Sequence, residues 1–200
     1  MSLIGCKKNS PCSEYTDKIL TGMENLKKQE VGNITINTKM VPRDGKIESF
    51  TSEKDQLVNL SFTKKEGSIE YNYKVVERYN KESTETTLKK ENNTFYTLSD
   101  GNWINVDSPQ IDYYNSVFSM IDFKYREKDI KNFKVTQSGD DDIIEFTIDK
   151  KALSKDVNNL TYTYWIHEDQ ITKIIIEQDD TMTMDSETDS INTLMEISIN

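Results

Sequence analysis

Alanine is all but missing from this chain, with Ala152 the sole instance in 200 residues, and histidine is as scarce, with His167 alone. Cys6 and Cys12 are the only cysteines. These shortages exclude much chemistry. Catalysis by a Ser-His-Asp or Cys-His arrangement needs an imidazole beside a nucleophile. His167 falls in an expected hairpin turn with no nucleophile-elbow sequence near it, so no catalytic residue is assigned. One histidine and so few cysteines make neither a zinc site nor the disulfide framework of a small secreted domain. No Gly-rich phosphate loop is present, and no stretch approaches the roughly 18–20 apolar residues that span a bilayer. An excess of positive charge is lacking too. The formal charge is −10 and the pI about 4.7, so phosphate backbones are repelled and nucleic acid is excluded as a partner.

What the chain has in plenty is acid, lysine, asparagine, threonine, isoleucine and tyrosine, the composition of an AT-rich genome. Asn-x-Ser/Thr triplets at Asn33, Asn59 and Asn159 follow from that bias rather than from glycosylation. Asp140-Asp141-Asp142 and the run Asp179, Asp180, Asp185, Glu187 and Asp189 are dense, yet neither has the alternating spacing and closing Glu of a calcium loop. They read as solvated turns and edge strands carrying protective charge, and no metal site is assigned. No pair of carboxylates stands out for glycoside chemistry. Tyr71, Tyr73, Tyr79, Tyr113, Tyr114, Trp103 and Trp165 could stack on sugars, though tyrosine is equally a strand residue.

The first six residues carry a sharper signal. Leu3-Ile4-Gly5-Cys6 fits all four positions of a lipobox, whose cysteine becomes the acylated N-terminus. Met1-Ser2 is too short to supply the basic start and apolar run of a signal peptide, so the pattern reads as its trimmed end. If Met1-Ser2-Leu3 are vector-derived, Gly5-Cys6 is the native remainder. Cys12 follows Pro11, where a small residue is needed, and a Cys6–Cys12 disulfide requires an unacylated Cys6. With the composition, the motif points to a low-GC Gram-positive source. Residues 1–12 form the residual lipobox and a short polar tether, and 13–200 form one domain, long enough to bury roughly two thirds of its unfolded surface.

From Ser13, apolar residues at Tyr15, Ile19, Met23 and Leu26 predict an amphipathic helix, capped by Ser13 and ended by Lys27-Lys28. From Gly32 the period becomes two, as in strands with one buried face. The runs are Ile34, Ile36, Met40; Val58, Leu60, Phe62; Ile69 to Val75; Ile144, Phe146, Ile148; Tyr162, Tyr164, Ile166; Ile174, Ile176; and Met195, Ile197, Ile199. Asp44-Gly45, Glu66-Gly67, Asp100-Gly101 and Gly139-Asp140 supply tight turns. Ser108-Pro109 starts a second helix through Ile111, Tyr114, Phe118 and Ile121, and Asp149–Val157 is expected as a short third. Such a sheet must curl or close, with the helices covering what stays open.

This layout resembles the LolA-like and LppX/LprG-like lipoprotein superfamily. The likeness is carried by a lipobox cysteine, then a helix ending in Leu26-Lys27-Lys28 and running into the strand Asn33 to Met40. The aromatic hairpin Phe95 to Trp103, turning at Asp100-Gly101, and the late hairpin Tyr162 to Lys173 are similar to the family's. The resemblance implies an α+β fold, a curved, half-open antiparallel β-barrel whose N-terminal helix and one or two further helices cover the concave face. It also implies a non-enzymatic domain, needing no cofactor, that holds a lipid or lipidated species. An apolar ligand can fill a half-closed barrel too wide for its own side chains. Ile36, Tyr71, Tyr73, Phe146 and Tyr164 are the candidate lining, provided the register places them on one face. The expected location is the extracytoplasmic face of the cell membrane, held there by acylated Cys6. The other reading is a non-catalytic scaffold for an envelope enzyme or partner protein. LolA's shuttle role needs an outer membrane and does not transfer to a Gram-positive cell.

Overall fold

A computed structural model describes residues 11–43, 53–107, 112–184 and 187–200. Among these, eleven strands form one antiparallel sheet and two α-helices lie outside it. The strands are β1 (Val31–Pro42), β2 (Lys54–Lys65), β3 (Ser68–Tyr79), β4 (Glu82–Glu91), β5 (Thr94–Ser99), β6 (Asn102–Val106), β7 (Ile130–Ser138), β8 (Asp141–Ile148), β9 (Val157–His167), β10 (Gln170–Met184) and β11 (Glu187–Ile199). Their spatial order is β6-β5-β4-β3-β2-β1-β11-β10-β9-β8-β7. The first and last strands therefore pair at the centre, Ile36 opposite Ile197, and each leads outward through a meander of hairpins. The sheet is not closed, since β6 and β7 are its two edges.

The alternation seen in the sequence fixes which face is buried. Ile34 and Ile36, Val58 and Leu60, Tyr162 and Tyr164, and Ile174 and Ile197 are buried, and ladder pairing places them all on one side. Each such side chain withdrawn from water contributes about 1.5–3 kcal/mol. Tight hairpins keep the meander in register. Asp100 and Gly101 both take positive φ, 49° and 78°, the geometry of a two-residue hairpin that suits strand twist.

Helix α1 (Pro11–Lys28) crosses one end of the apolar face. Tyr15 meets Phe133 on β7, Lys18 Nζ donates to Asp142 Oδ2 on β8 at 2.5 Å, and Gly22 lies against Ile171 on β10, where an added Cβ would fall 2.7 Å from Ile171 Cγ1. At its end, Lys64 Nζ of β2 donates to the Lys27 carbonyl. The helix already runs at Pro11, so Ser13 is not its cap. Ser13 Oγ donates to Glu127 Oε1 instead, at 2.8 Å. Cys12 is buried and disulfide-bonded, while Cys6 lies outside the described residues.

Helix α2 (Tyr113–Ile121) begins later than the Ser108-Pro109 signal suggests. Asp112 is the N-cap, its carboxylate accepting from the Asn115 amide at 3.2 Å, and Ser108, Pro109 and Ile111 lie outside the described residues. The third helix expected over Asp149–Val157 is reduced to one 3₁₀ turn, Lys150–Ala152, capped by Asp149. Val157 already pairs with Asp180 as the first residue of β9, so strand pairing overrides the weak helical spacing of Leu153 and Val157. The acidic run from Asp179 is not on an edge either. β10 and β11 are central strands, and Asp179 accepts from Arg43 at 2.6 Å and from Asn192 at 2.9 Å. Asp189 is fully buried, accepting from the Ser190 amide at 2.7 Å.

Candidate functional site: the apolar face and its open end

Ile36, Tyr71, Tyr73, Phe146 and Tyr164 sit on one face of the sheet. Tyr71 pairs with Phe62, and Tyr73 with Leu60. Leu60 and Val58 pair with Ile34 and Ile36, Ile36 with Ile197, Ile197 with Ile174, Ile174 with Tyr164, and Phe146 with Tyr162. All five are buried, and the connection from β6 to β7 packs directly on them and their neighbours. The Tyr113 ring lies 4.6 Å from Tyr73, and Tyr114 and Phe118 lie 5.3 and 5.8 Å from Phe62. Phe123 then stands edge-on to Phe146, Tyr162 and Tyr164 at 5.7–6.3 Å. Those three rings are themselves stacked, 5.6–6.1 Å apart. Offset and edge-on rings at these separations add about 0.5–1.5 kcal/mol per pair beyond burial.

Burial shapes the chemistry of these phenols. It pushes the Tyr71 hydroxyl up to about 12, and the nearby Asp112 carboxylate adds to the rise. It raises Tyr162 and Tyr164 further, beyond physiological titration. The Tyr164 oxygen is buried with no hydrogen-bond partner, an arrangement that costs about 1–3 kcal/mol. His167 closes β9 with Nδ1 3.2 Å from Asp141 Oδ1. Among the described residues, no three His, Cys, Asp or Glu side chains gather as a metal site.

The filled region covers only part of the face. Roughly 35 Å along β10 from Ile171, by strand rise, a cavity of about 600 Å³ opens beyond the packed aromatics. Its apolar wall is Met40, Met182 and Ile191. Ile191 pairs with Asp180 and Met40 with Thr193, so these side chains lie on the same face of the sheet, Ile191 buried, Met40 half-buried and Met182 exposed. Lys54, Lys155, Asp156 and Asp180 bring two charges of each sign to the opening. The segment before β9 is tied across it, because the Thr181 amide donates to the Asp156 carbonyl at 2.7 Å. Gln178 Nε2 donates to both Asp180 oxygens at 2.8 and 2.7 Å, holding that carboxylate beside the mouth. The volume lies within the roughly 300–1,000 Å³ usual for small-molecule pockets.

None of the five residues picked from sequence lines this cavity; they form the packed part of the same face. Met182 and Ile191 went unpicked, though a signal existed. Carrying the period of two along β10 from Ile174 through Ile176, Gln178 and Asp180 reaches Met182, but the acidic run masks the alternation.

No protein-family model and no curated protein sequence matches the chain. Among solved structures, an outer membrane lipoprotein-sorting protein domain from Vibrio parahaemolyticus aligns over 94% of this chain and 91% of its own. It is 8% identical, with a TM-score of 0.28, too low to describe a shared fold. LprF from Mycobacterium bovis aligns over 96% of this chain and 94% of its own, at 14% identity and a TM-score of 0.52. The likeness to LppX/LprG-like lipoproteins noted in the sequence is thus shown at the level of the fold, which this chain shares with LprF.

Proposed function

We propose that this protein is an extracytoplasmic lipoprotein whose sheet holds an apolar ligand such as a lipid or lipidated species. The observation that carries the reading is the cavity of about 600 Å³ walled by Met40, Met182 and Ile191 at the open end of an otherwise continuous apolar face. In this reading residues 13–200 act as one domain. The sheet is a half-open barrel, its apolar face is the concave one, and α1 and α2 cover it. An acyl chain enters past the lysines and aspartates of the mouth and runs toward the wall formed by Ile36, Tyr71, Tyr73, Phe146 and Tyr164. The role is to carry or hold rather than to catalyse.

Incubation of detergent-free protein with a fluorescent fatty acyl probe tests this. Saturable binding is expected, weakened at least tenfold by Met182→Glu, which puts a charge into the apolar wall. Absence of uptake with the fold intact contradicts it. The scaffold reading for an envelope enzyme or partner protein draws on a different observation, the close filling of the face around Phe146 and Tyr164 by Phe123. A chain that takes up no probe but co-purifies stoichiometrically with an envelope protein would move the assignment there.

A further inference from the structure

The opposite face of the sheet is also shaped. Two adjoining depressions, of about 390 and 380 Å³, lie over β1 to β4 and share Asn33, Ser61 and Asn72. Asn33 pairs with Ser61, Ser61 with Asn72, Asn72 with Lys89, Lys89 with Tyr96 and Tyr96 with Asn105. This gives a cross-strand ladder, about 24 Å long at the spacing of neighbouring strands, in which the amides of Asn33 and Asn72 and the Ser61 hydroxyl are followed by the Lys89 ammonium, the Tyr96 ring and the Asn105 amide. Lys89 Nζ stands 4.9 Å from the rings of both Tyr96 and Trp103 and holds them beside the ladder. Trp103 remains 41% exposed. Among the described residues no side-chain hydrogen bond engages Asn33, Ser61 or Asn72, so their donors and acceptors face solvent unspent.

Charge narrows what such a trough can take. Lys65 is paired with Glu70, Lys74 with Glu85 and Lys89 with Glu91 at 2.6–2.9 Å. Lys90, the other lysine that lines the first depression, turns to the far face beside Phe95, its Nζ 5.4 Å from that ring. The charges that remain are balanced, and carboxylates repel an anion while lysines repel a cation. A ligand suited to it is uncharged, extended, rich in hydroxyls and flat enough on one side to stack on an indole or phenol.

We propose that this face is a binding site for a neutral oligosaccharide strand, separate from the cavity on the apolar face and independent of whether that cavity holds a lipid. The amides of Asn33 and Asn72 bond sugar hydroxyls, and Trp103 and Tyr96 stack on a ring at one end.

The test is calorimetric titration of the full chain with uncharged pentasaccharides: β-1,4-linked N-acetylglucosamine, cellopentaose and maltopentaose, each to millimolar concentration. Binding of at least one is expected, insensitive to added salt and weakened about tenfold by Asn72→Ala and by Trp103→Ala. Met182→Glu should leave it unchanged, while acyl-probe uptake responds the opposite way. Both trough residues are exposed, and circular dichroism of the variants verifies folding. No binding by any of the three sugars overturns the proposal. So does binding that survives both substitutions, or that fades with salt as an ionic ligand or peptide would.

Discussion

Tyr164 concentrates the energetic tension of the interior, because its ring is stacked with Phe146 and Tyr162 while its hydroxyl has no partner. The ring is an asset and the oxygen a cost, and substitution separates them. Phe146→Ala removes a fully buried ring and should destabilise the fold by about 3–5 kcal/mol, measured by urea unfolding. Tyr164→Phe keeps the ring and removes the orphaned oxygen, so stability should be unchanged or higher by up to about 1 kcal/mol. A clear loss in Tyr164→Phe would mean that the hydroxyl is bonded in solution, to water or to a ligand's polar group.

Among elements, α1 is held on the sheet by one well-placed ion pair. The Lys18 ammonium hydrogen-bonds Asp142 and holds its carboxyl below the ordinary value of 3.8, and the same bond raises Lys18 above 10.5. The Asp142 contribution is therefore present above pH 3.8 and lost as pH falls through its lowered value. That of Lys18 is present below pH 10.5 and lost as pH rises through its raised value. Asp142→Asn should cost about 1 kcal/mol near neutral pH, and the gap from the parent protein should close at both extremes in thermal melts. A gap that stays constant with pH would assign the loss to packing rather than to charge. The strands, their alternation and the existence of α1 and α2 were readable in the sequence because a half-buried strand and an amphipathic helix each write a period into it. The expected third helix failed because two apolar residues four apart cannot outweigh the ladder bonds of a central sheet. The capping role given to Ser13 failed because its hydroxyl meets a long-range partner, Glu127, that local sequence does not reveal.

At the scale of the whole molecule, two meanders share a central seam, and the connection between their outer strands crosses the apolar face rather than leaving it bare. That crossing explains why the candidate site was only half legible. Period two identifies the face, and it placed Ile36, Tyr71, Tyr73, Phe146 and Tyr164 together, yet it cannot show where Phe123 and α2 fill the face and where they leave it open at Met182 and Ile191. Anchoring belongs to this scale as well. With Cys12 disulfide-bonded and Cys6 the chain's other cysteine, an acyl anchor at Cys6 and an intrachain disulfide exclude each other. Peptide mass spectrometry of protein extracted from host membranes reads which is present: acyl mass on Cys6 supports the anchor, and an unmodified Cys6 contradicts it. The central claim, that the open end of the apolar face holds an apolar ligand, is tested most directly by native mass spectrometry of the domain purified without detergent. The account predicts a stoichiometric lipid that is lost in Met182→Glu; a ligand-free protein that also refuses added lipid would contradict it.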